Sequence, residues 1–499
     1  MPPSKKINIV FVHGYSVTNL NTYGELPVRI KAEGVNYAYD VNVEEIYLGR
    51  YISFQDEVKL NDISRAFESA VNDQLSHLLN NNERFICITH STGGPVIRNW
   101  WSRYYFGKDK TCPMSHLVML APANFGSALA QLGKSRISRI KSWMEGVEPG
   151  QGVLDWLELG SKPAWDLNKQ WIVGSDDLVG PAGIFPFVLT GQSIDRKFYD
   201  NLNSYTGELG SDGVIRVAAA NLNAKYIRLV QGSKKSEDGK LTIDENRKSP
   251  GTAFRIIRKK SHSGDKMGIL ASVKKEVTDT ESAETIKAIF DCIKVNSRPE
   301  YDSVYNRFII ETIEVQKDEL EEPVKKGVLG DRTFIHSRFS QVIFKIYDSE
   351  GIPVTDFDLL FTGPGNNPNL LPEGFFADRQ QNRLDRNTVT YYFNYDIMTG
   401  EDINGKNLRP AHSKQVMLGL KINPRPAEGF IRFVPCSLDA SKDFLDKLLQ
   451  PNCTTMLEIR LQRFVDKEVF RVKKLEGNSM PSTKEGDFKK IKPGKETIE

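Results

Sequence analysis

The residues able to do chemistry in this chain gather in four short segments. The first is Phe85-Ile86-Cys87-Ile88-Thr89-His90-Ser91-Thr92-Gly93-Gly94-Pro95, an apolar strand, a small-residue turn and a helix start with Pro95 in its first turn. A serine at the apex of such a turn projects its hydroxyl away from the sheet. The N–H groups that follow it point into the same space from a helix N-terminus. Ser91 is therefore the candidate nucleophile, and the N–H of Thr92 a candidate donor to an oxyanion. Small residues are needed two positions before and two after the serine. Gly93 meets the second requirement, whereas Thr89 stands where the strict G-x-S-x-G pattern has glycine.

A second segment, Ile7-Asn8-Ile9-Val10-Phe11-Val12-His13-Gly14-Tyr15, ends a buried strand in His-Gly. Gly14 lets the backbone turn toward the site, so the N–H of Tyr15 supplies a second oxyanion donor beside that of Thr92. His13 reads as a residue that shapes this loop rather than one that transfers protons. A serine nucleophile then needs an acid followed by a histidine. Gly210-Ser211-Asp212-Gly213 places an acid in a tight turn, and Ser261-His262-Ser263-Gly264-Asp265 places a histidine in a short polar loop. His262 would take the Ser91 proton and return it to the leaving alcohol, while Asp212 would hold its tautomer and stabilise the imidazolium. Asp176 and Asp177 compete with Asp212 for the acid role.

In this order the residues resemble the α/β-hydrolase superfamily, particularly its lipase branch. Strand-His-Gly, Thr-His-Ser-x-Gly-Gly, then His116 to Ser127 (HLVMLAPANFGS), then Ser-Asp-Gly-Val all have lipase counterparts, over residues 1 to about 295. The resemblance implies a mostly parallel sheet with helices on both faces and a lid inserted after the Pro-x-x-x-Gly-Ser segment, here at about 125–183. Within that insertion Leu129, Leu132, Ile137, Ile140, Met144 and Val147 can share one helix face amid Lys134, Arg136, Arg139 and Lys141. A basic amphipathic helix of this kind suits an anionic lipid surface, and equally a helix packed on the sheet. Trp156, Trp165 and Trp171 read as core more readily than as an acyl-chain wall.

The elements that must position these residues follow from periodicity. Short apolar runs at 7–12, 42–48, 85–89, 116–121, 185–190 and 225–230 alternate with amphipathic stretches, the α/β signature. Leu60, Ile63, Phe67, Val71, Leu75, Leu78 and Leu79 form one helical face, and Ala283, Ile286, Ile289, Phe290 and Ile293 another, read as the last helix of a catalytic domain spanning 1–295. After Asn296-Ser297-Arg298-Pro299 the pattern changes to strand-like runs at 308–315, 339–347, 389–395, 415–422, 430–434 and 456–465. These predict a mostly β, sandwich-like domain over 300–475, in outline like the β-sandwich some animal lipases carry. The tail 477–499 has too few apolar residues to bury and is expected to be disordered.

Composition narrows the classes. Across 499 residues, 39% are hydrophobic and 26% charged, which suits a globular chain with a sizeable core. A formal charge of +3 is too small to suggest a nucleic-acid partner. Cys87, Cys112, Cys292, Cys436 and Cys453 show no CxxC spacing, so reduced thiols are expected and no metal or cofactor is implied; His336 and His412 lack ligand-spaced partners. Neither a secretory signal nor a membrane span is legible, so a cytoplasmic location is expected, with signal-independent export open.

Three functions compete at this stage. One is a serine carboxylester hydrolase acting on lipid, a phospholipase or lipase in peripheral contact with membrane, similar to the lipase effectors bacteria deploy against competitors. Another is an acyltransferase or lipid-anchor deacylase on the same fold, since an acyl-enzyme can be intercepted by alcohols other than water. The third is a non-catalytic binding module. A protein partner for the β domain is expected and unnamed.

Overall fold

Apolar runs with no polar alternation are the pattern of strands covered on both faces, and they assemble into an all-parallel sheet. A computed structural model of the protein describes residues 4–13, 22–53, 55–132, 150–174, 179–194, 207–232, 239–276, 280–324, 332–400 and 416–466. The first sheet comprises β1 (Lys5–His13), β2 (Tyr39–Tyr47), β3 (Phe85–His90), β4 (Met114–Leu120), β5 (Phe185–Thr190) and β8 (Ala253–Ile256). Their order is β2-β1-β3-β4-β5-β8, every neighbour parallel. One face packs under helices Leu60–Gln74 and Gly93–Tyr104, through Phe67, Val71, Val96 and Trp100. The other packs under Thr280–Ile293 through Ile286, Ile289 and Phe290. This is the α/β arrangement the sequence implied.

Two expectations are corrected. The run 225–230 does form a strand, β6 (Lys225–Gln231), but it leaves the first sheet; with β7 (Leu241–Lys248) it joins a second. Its place in the first sheet is taken by β8, whose four residues are too short to stand out as a run. The run 308–315 is not a strand but lies inside the helix Arg298–Asp318. Its β-branched residues imitated a strand, yet Tyr301, Val304, Phe308, Thr312 and Val315 are the buried ones, at helical spacing. Ser297 caps this helix by accepting from the Glu300 N–H at 3.4 Å, and Glu300 accepts in return from the Asn296 N–H at 2.6 Å. The same helix covers the open edge of β8: the Ala253 N–H donates to the Tyr301 hydroxyl at 3.0 Å and the Ile256 N–H to Thr312 Oγ1 at 3.1 Å. Segments therefore cross the boundary expected at 295–300 in both directions.

The second sheet adds β11 (Phe339–Asp348), β13 (Phe376–Gln381), β14 (Thr388–Asn394) and β18 (Thr454–Leu461), in the order β13-β14-β11-β18-β6-β7. A third, antiparallel sheet of β12 (Phe357–Thr362), β15 (Leu418–Pro424) and β17 (Cys436–Ser441) lies over it. Alternation along β11 shows why both faces are apolar. Val342, Phe344 and Ile346 meet Leu359, Phe361, Leu420 and Ile422 of the third sheet, forming the expected sandwich. Ile343 instead joins Met456, Tyr226, Trp156 and Trp165 in the core shared with the first sheet. Small ladders of β9 (Glu321–Val324) with β10 (Arg332–Ile335), and β16 (Ile431–Arg432) with β19 (Phe464–Val465), complete the described strands. Among the described residues no helix is long and apolar enough to cross a membrane.

Candidate active site

β3 delivers the chain to a turn at the C-terminal edge of the first sheet, where Ser91 takes a left-handed φ of 52° that non-glycine residues rarely adopt. The turn is tied to its neighbours. The Ser91 N–H donates to the Leu120 carbonyl at 3.1 Å, and the Ser91 carbonyl accepts from Ala123 at 3.2 Å. Thr89 is accommodated because Gly93 sits across from it; a Cβ at position 93 would lie 3.1 Å from the Thr89 Cβ. Only one of the two positions has to be bare. Gly94 is needed for a different reason, as a Cβ there would come within 2.8 Å of Pro122. Thr92 caps the helix Gly93–Tyr104, so its N–H belongs to a helix end with open donors. Tyr15, the other expected donor, lies outside the described residues.

His262 and Asp212 come to Ser91 from loops 171 and 50 residues away from one or other partner in sequence. His262 Nε2 is 3.1 Å from Ser91 Oγ, and Nδ1 is 3.0 Å from Asp212 Oδ2. The other carboxylate oxygen, Oδ1, accepts from the Val214 and Ile215 N–H groups at 3.0 and 2.7 Å. The His262 N–H donates to the Asp212 carbonyl at 2.9 Å, joining the two loops through the backbone as well. Asp212 and His262 are fully buried and Ser91 is 9% exposed. A hydroxyl, an imidazole and a carboxylate so linked can pass a proton from the hydroxyl to the ring while the carboxylate stabilises the cation formed.

His90 packs its ring 4.7 Å from that of His262; burial, reinforced by the neighbouring imidazole, holds its pKa well below the usual range, so it stays neutral. His13 is also buried, its pKa lowered by desolvation against an opposing pull from Glu45. Its Nε2 lies 3.4 Å from Glu45 and its ring stacks on Tyr47 at 4.3 Å, both on β2. Asp176 and Asp177 lie outside the described residues. The cysteines offer no rival nucleophile: all five are free, and burial pushes the thiols of Cys112 and Cys436 up to about 12. Among the described residues no cluster of His, Cys, Asp and Glu could hold a metal ion. His336 pairs with Glu322 at 2.8 Å, and His412 lies outside the described residues.

Trp156, Trp165 and Trp171 are each 4% exposed and belong to the core. Most of the basic amphipathic segment, from 133 to 149, lies outside the described residues, while Leu129 is buried beside Phe125. A small apolar hollow of about 10 Å³, room for about one water, lies next to the turn, lined by Leu48, Leu60, Ile63, Val96 and Val153 with Thr92 and Gly93. The spacing of the sequence could not have shown the residues that brace the acid turn, Glu208, Arg216, Asp378 and Tyr392, since two of them come from the second sheet.

A solved structure, phospholipase PlaB from Legionella pneumophila, is similar to this chain along nearly its whole length: 40% identity, 96% of this chain and 98% of that one covered, and a TM-score of 0.83. The chain belongs to the PlaB phospholipase family. The same relative in complex with thio-NAD matches equally, with 40% identity and a TM-score of 0.83. The mature lipase BlEst2 of Bacillus licheniformis is less similar, sharing 16% identity over 44% of this chain and 80% of its own, with a TM-score of 0.30. No family model matches the chain, and no curated protein matches it. The PlaB likeness covers all three sheets, so the sandwich is as much a family feature as the first sheet.

Proposed function

We propose that this protein is a phospholipase that releases fatty acid from phospholipid through an acyl-enzyme on Ser91. The observation that carries the reading is the hydrogen-bonded line Ser91–His262–Asp212, drawn at the strained turn after β3. Ser91 Oγ attacks the ester carbonyl as its proton passes to His262 Nε2. The N–H of Thr92, with that of Tyr15, stabilises the oxyanion. Collapse of the tetrahedral species breaks the C–O bond, and His262 returns the proton to the departing lysophospholipid oxygen. Water, deprotonated by His262, then hydrolyses the acyl-enzyme and frees Ser91. Asp212 keeps the ring in the tautomer with the proton on Nδ1. No cofactor enters these steps. Contact with membrane is peripheral in this reading, and an antibacterial or defence role is its biological setting.

The test is acyl release from anionic phospholipid vesicles beside hydrolysis of a soluble short-chain ester. Ser91→Ala should lower both by roughly 10⁴- to 10⁶-fold, and Asp212→Asn by about 10⁴-fold, with the fold intact. Ser91-dependent hydrolysis of the soluble ester alone would reduce the reading to an esterase or a transferase lacking its acceptor. Full activity in Asp212→Asn would return the acid role to Asp176 or Asp177. Because the relative has been solved with thio-NAD, the vesicle assay is run with and without NAD.

A further inference from the structure

The turn that carries Asp212 is closed on itself and then anchored from outside. Within it, Asp212 N–H donates to Ile215 O at 3.1 Å, Val217 N–H to Gly210 O at 2.9 Å, and Ser211 Oγ to Glu208 O at 2.6 Å. Its base is held by the second sheet. Arg216, 2% exposed, grips Glu208 with Nε and Nη2 at 2.9 and 2.8 Å. The same Nη2 bonds Asp378 Oδ2 on β13. The guanidinium lies 4.1 Å over the ring of Tyr392 on β14, whose hydroxyl donates to the Gly210 carbonyl at 2.9 Å. Gly210 has a φ of +73°, and a Cβ there would lie 2.4 Å from the Phe339 ring and 2.5 Å from the Tyr392 oxygen. The contact is therefore too close for any side chain but hydrogen.

We propose that Asp378 and Tyr392 are positioning residues for catalysis: through Arg216 and Gly210, the second sheet sets where the Asp212 carboxylate meets His262. The proposal rests on the reading of Asp212 as the acid. Arg216 and Glu208 stand four residues to either side of Asp212, so a shift of the anchored base moves the whole turn. Bidentate guanidinium–carboxylate pairing has a defined geometry, and the ring beneath fixes the guanidinium plane. Such an anchor holds a carboxylate to a fraction of an ångström, the tolerance at which misplacement begins to cost rate. It also gives the sandwich a part in the reaction although none of its described residues bonds to Ser91 or His262.

Asp378→Asn and Tyr392→Phe are the tests, because Arg216 keeps Glu208 in the first and loses nothing but a neighbouring hydroxyl in the second. Full-length variants are compared for kcat, KM and the pH profile of kcat/KM on p-nitrophenyl butyrate, with active sites counted by a fluorophosphonate. Asp358→Asn, in an exposed ion pair with Arg425 on the third sheet, is the control. The expected result is a kcat lower by about 10- to 100-fold with KM within about twofold and a full count of active sites. The groups facing the imidazole are Asp212, Ser91 and the neutral His90. A loosened Asp212 stabilises the protonated ring less, so the acidic limb should move to lower pH; Asp378→Glu should recover part of the rate. An unchanged kcat and an unmoved limb in folded variants would overturn the proposal. So would a loss of rate matched by a loss of active sites, which marks a purely structural role. If Asp212→Asn also stays active, the assignment of the acid fails; if it alone is inactive, the anchor alone fails.

Discussion

His116 should make the protein lose stability in mild acid, by an amount its surroundings define. The residue lies on β4 at the end of the first sheet remote from Ser91, 6% exposed, between the rings of Phe185 and Phe187. Both ring nitrogens are occupied in the neutral form: Nε2 is 2.7 Å from the Val295 carbonyl and Nδ1 is 2.8 Å from Ser115 Oγ. Burial, opposed by the Val295 carbonyl, lowers its pKa from 6.5 to about 4. In the unfolded chain the same ring binds a proton near 6.5. Between these values the unfolded state holds more protons than the folded one, so stability is full above about pH 6.5 and falls as pH drops toward 4. Going from pH 8 to pH 5 should remove about 2 kcal/mol through this group alone. Urea unfolding of wild type and His116→Gln at a series of pH values isolates it, because every other titrating group cancels in the difference. The variant should start less stable and fall less steeply, by about 2 kcal/mol over that range. Parallel curves for the two proteins would refute the assignment of a neutral, desolvated ring.

The turn itself offers two further tests. Gly94→Ala should force the helix start away from Pro122, against which its Cβ would lie at 2.8 Å, lowering kcat with a stability loss of about 1–3 kcal/mol in thermal melts. Thr89→Gly restores the strict glycine pattern but should not raise turnover, since Gly93 already clears the space; the loss of a fully buried side chain should instead cost about 1–2 kcal/mol. A several-fold gain in kcat for Thr89→Gly would show that the threonine strains the turn.

What could be read from sequence was what neighbouring residues decide. The run Phe85–His90, the small residues after it and Pro95 specify strand, turn and helix within a dozen positions. The order Ser91, Asp212, His262 could be matched because each stands in a short polar turn with its own local signature. The misread segments were those where local composition is ambiguous. Residues 308–315 carry the β-branched content of a strand on the spacing of a helix, and the cap Ser297–Glu300 sits in an Asn-Ser-Arg-Pro stretch whose composition equally suits a linker. Residues 225–230 were rightly a strand, but a strand's neighbours depend on hydrogen bonds to chain hundreds of positions away: β6 pairs with β18, between Lys225 and Thr455 onward. The anchor on Arg216 has the same character, joining Glu208 to Asp378, which lies 162 residues beyond Arg216. Backbone pattern and side-chain order are properties of the chain. Burial, the loss of solvent that makes Arg216, His90 and His116 what they are, exists only once the sheets and the segments that cover them have closed on one another.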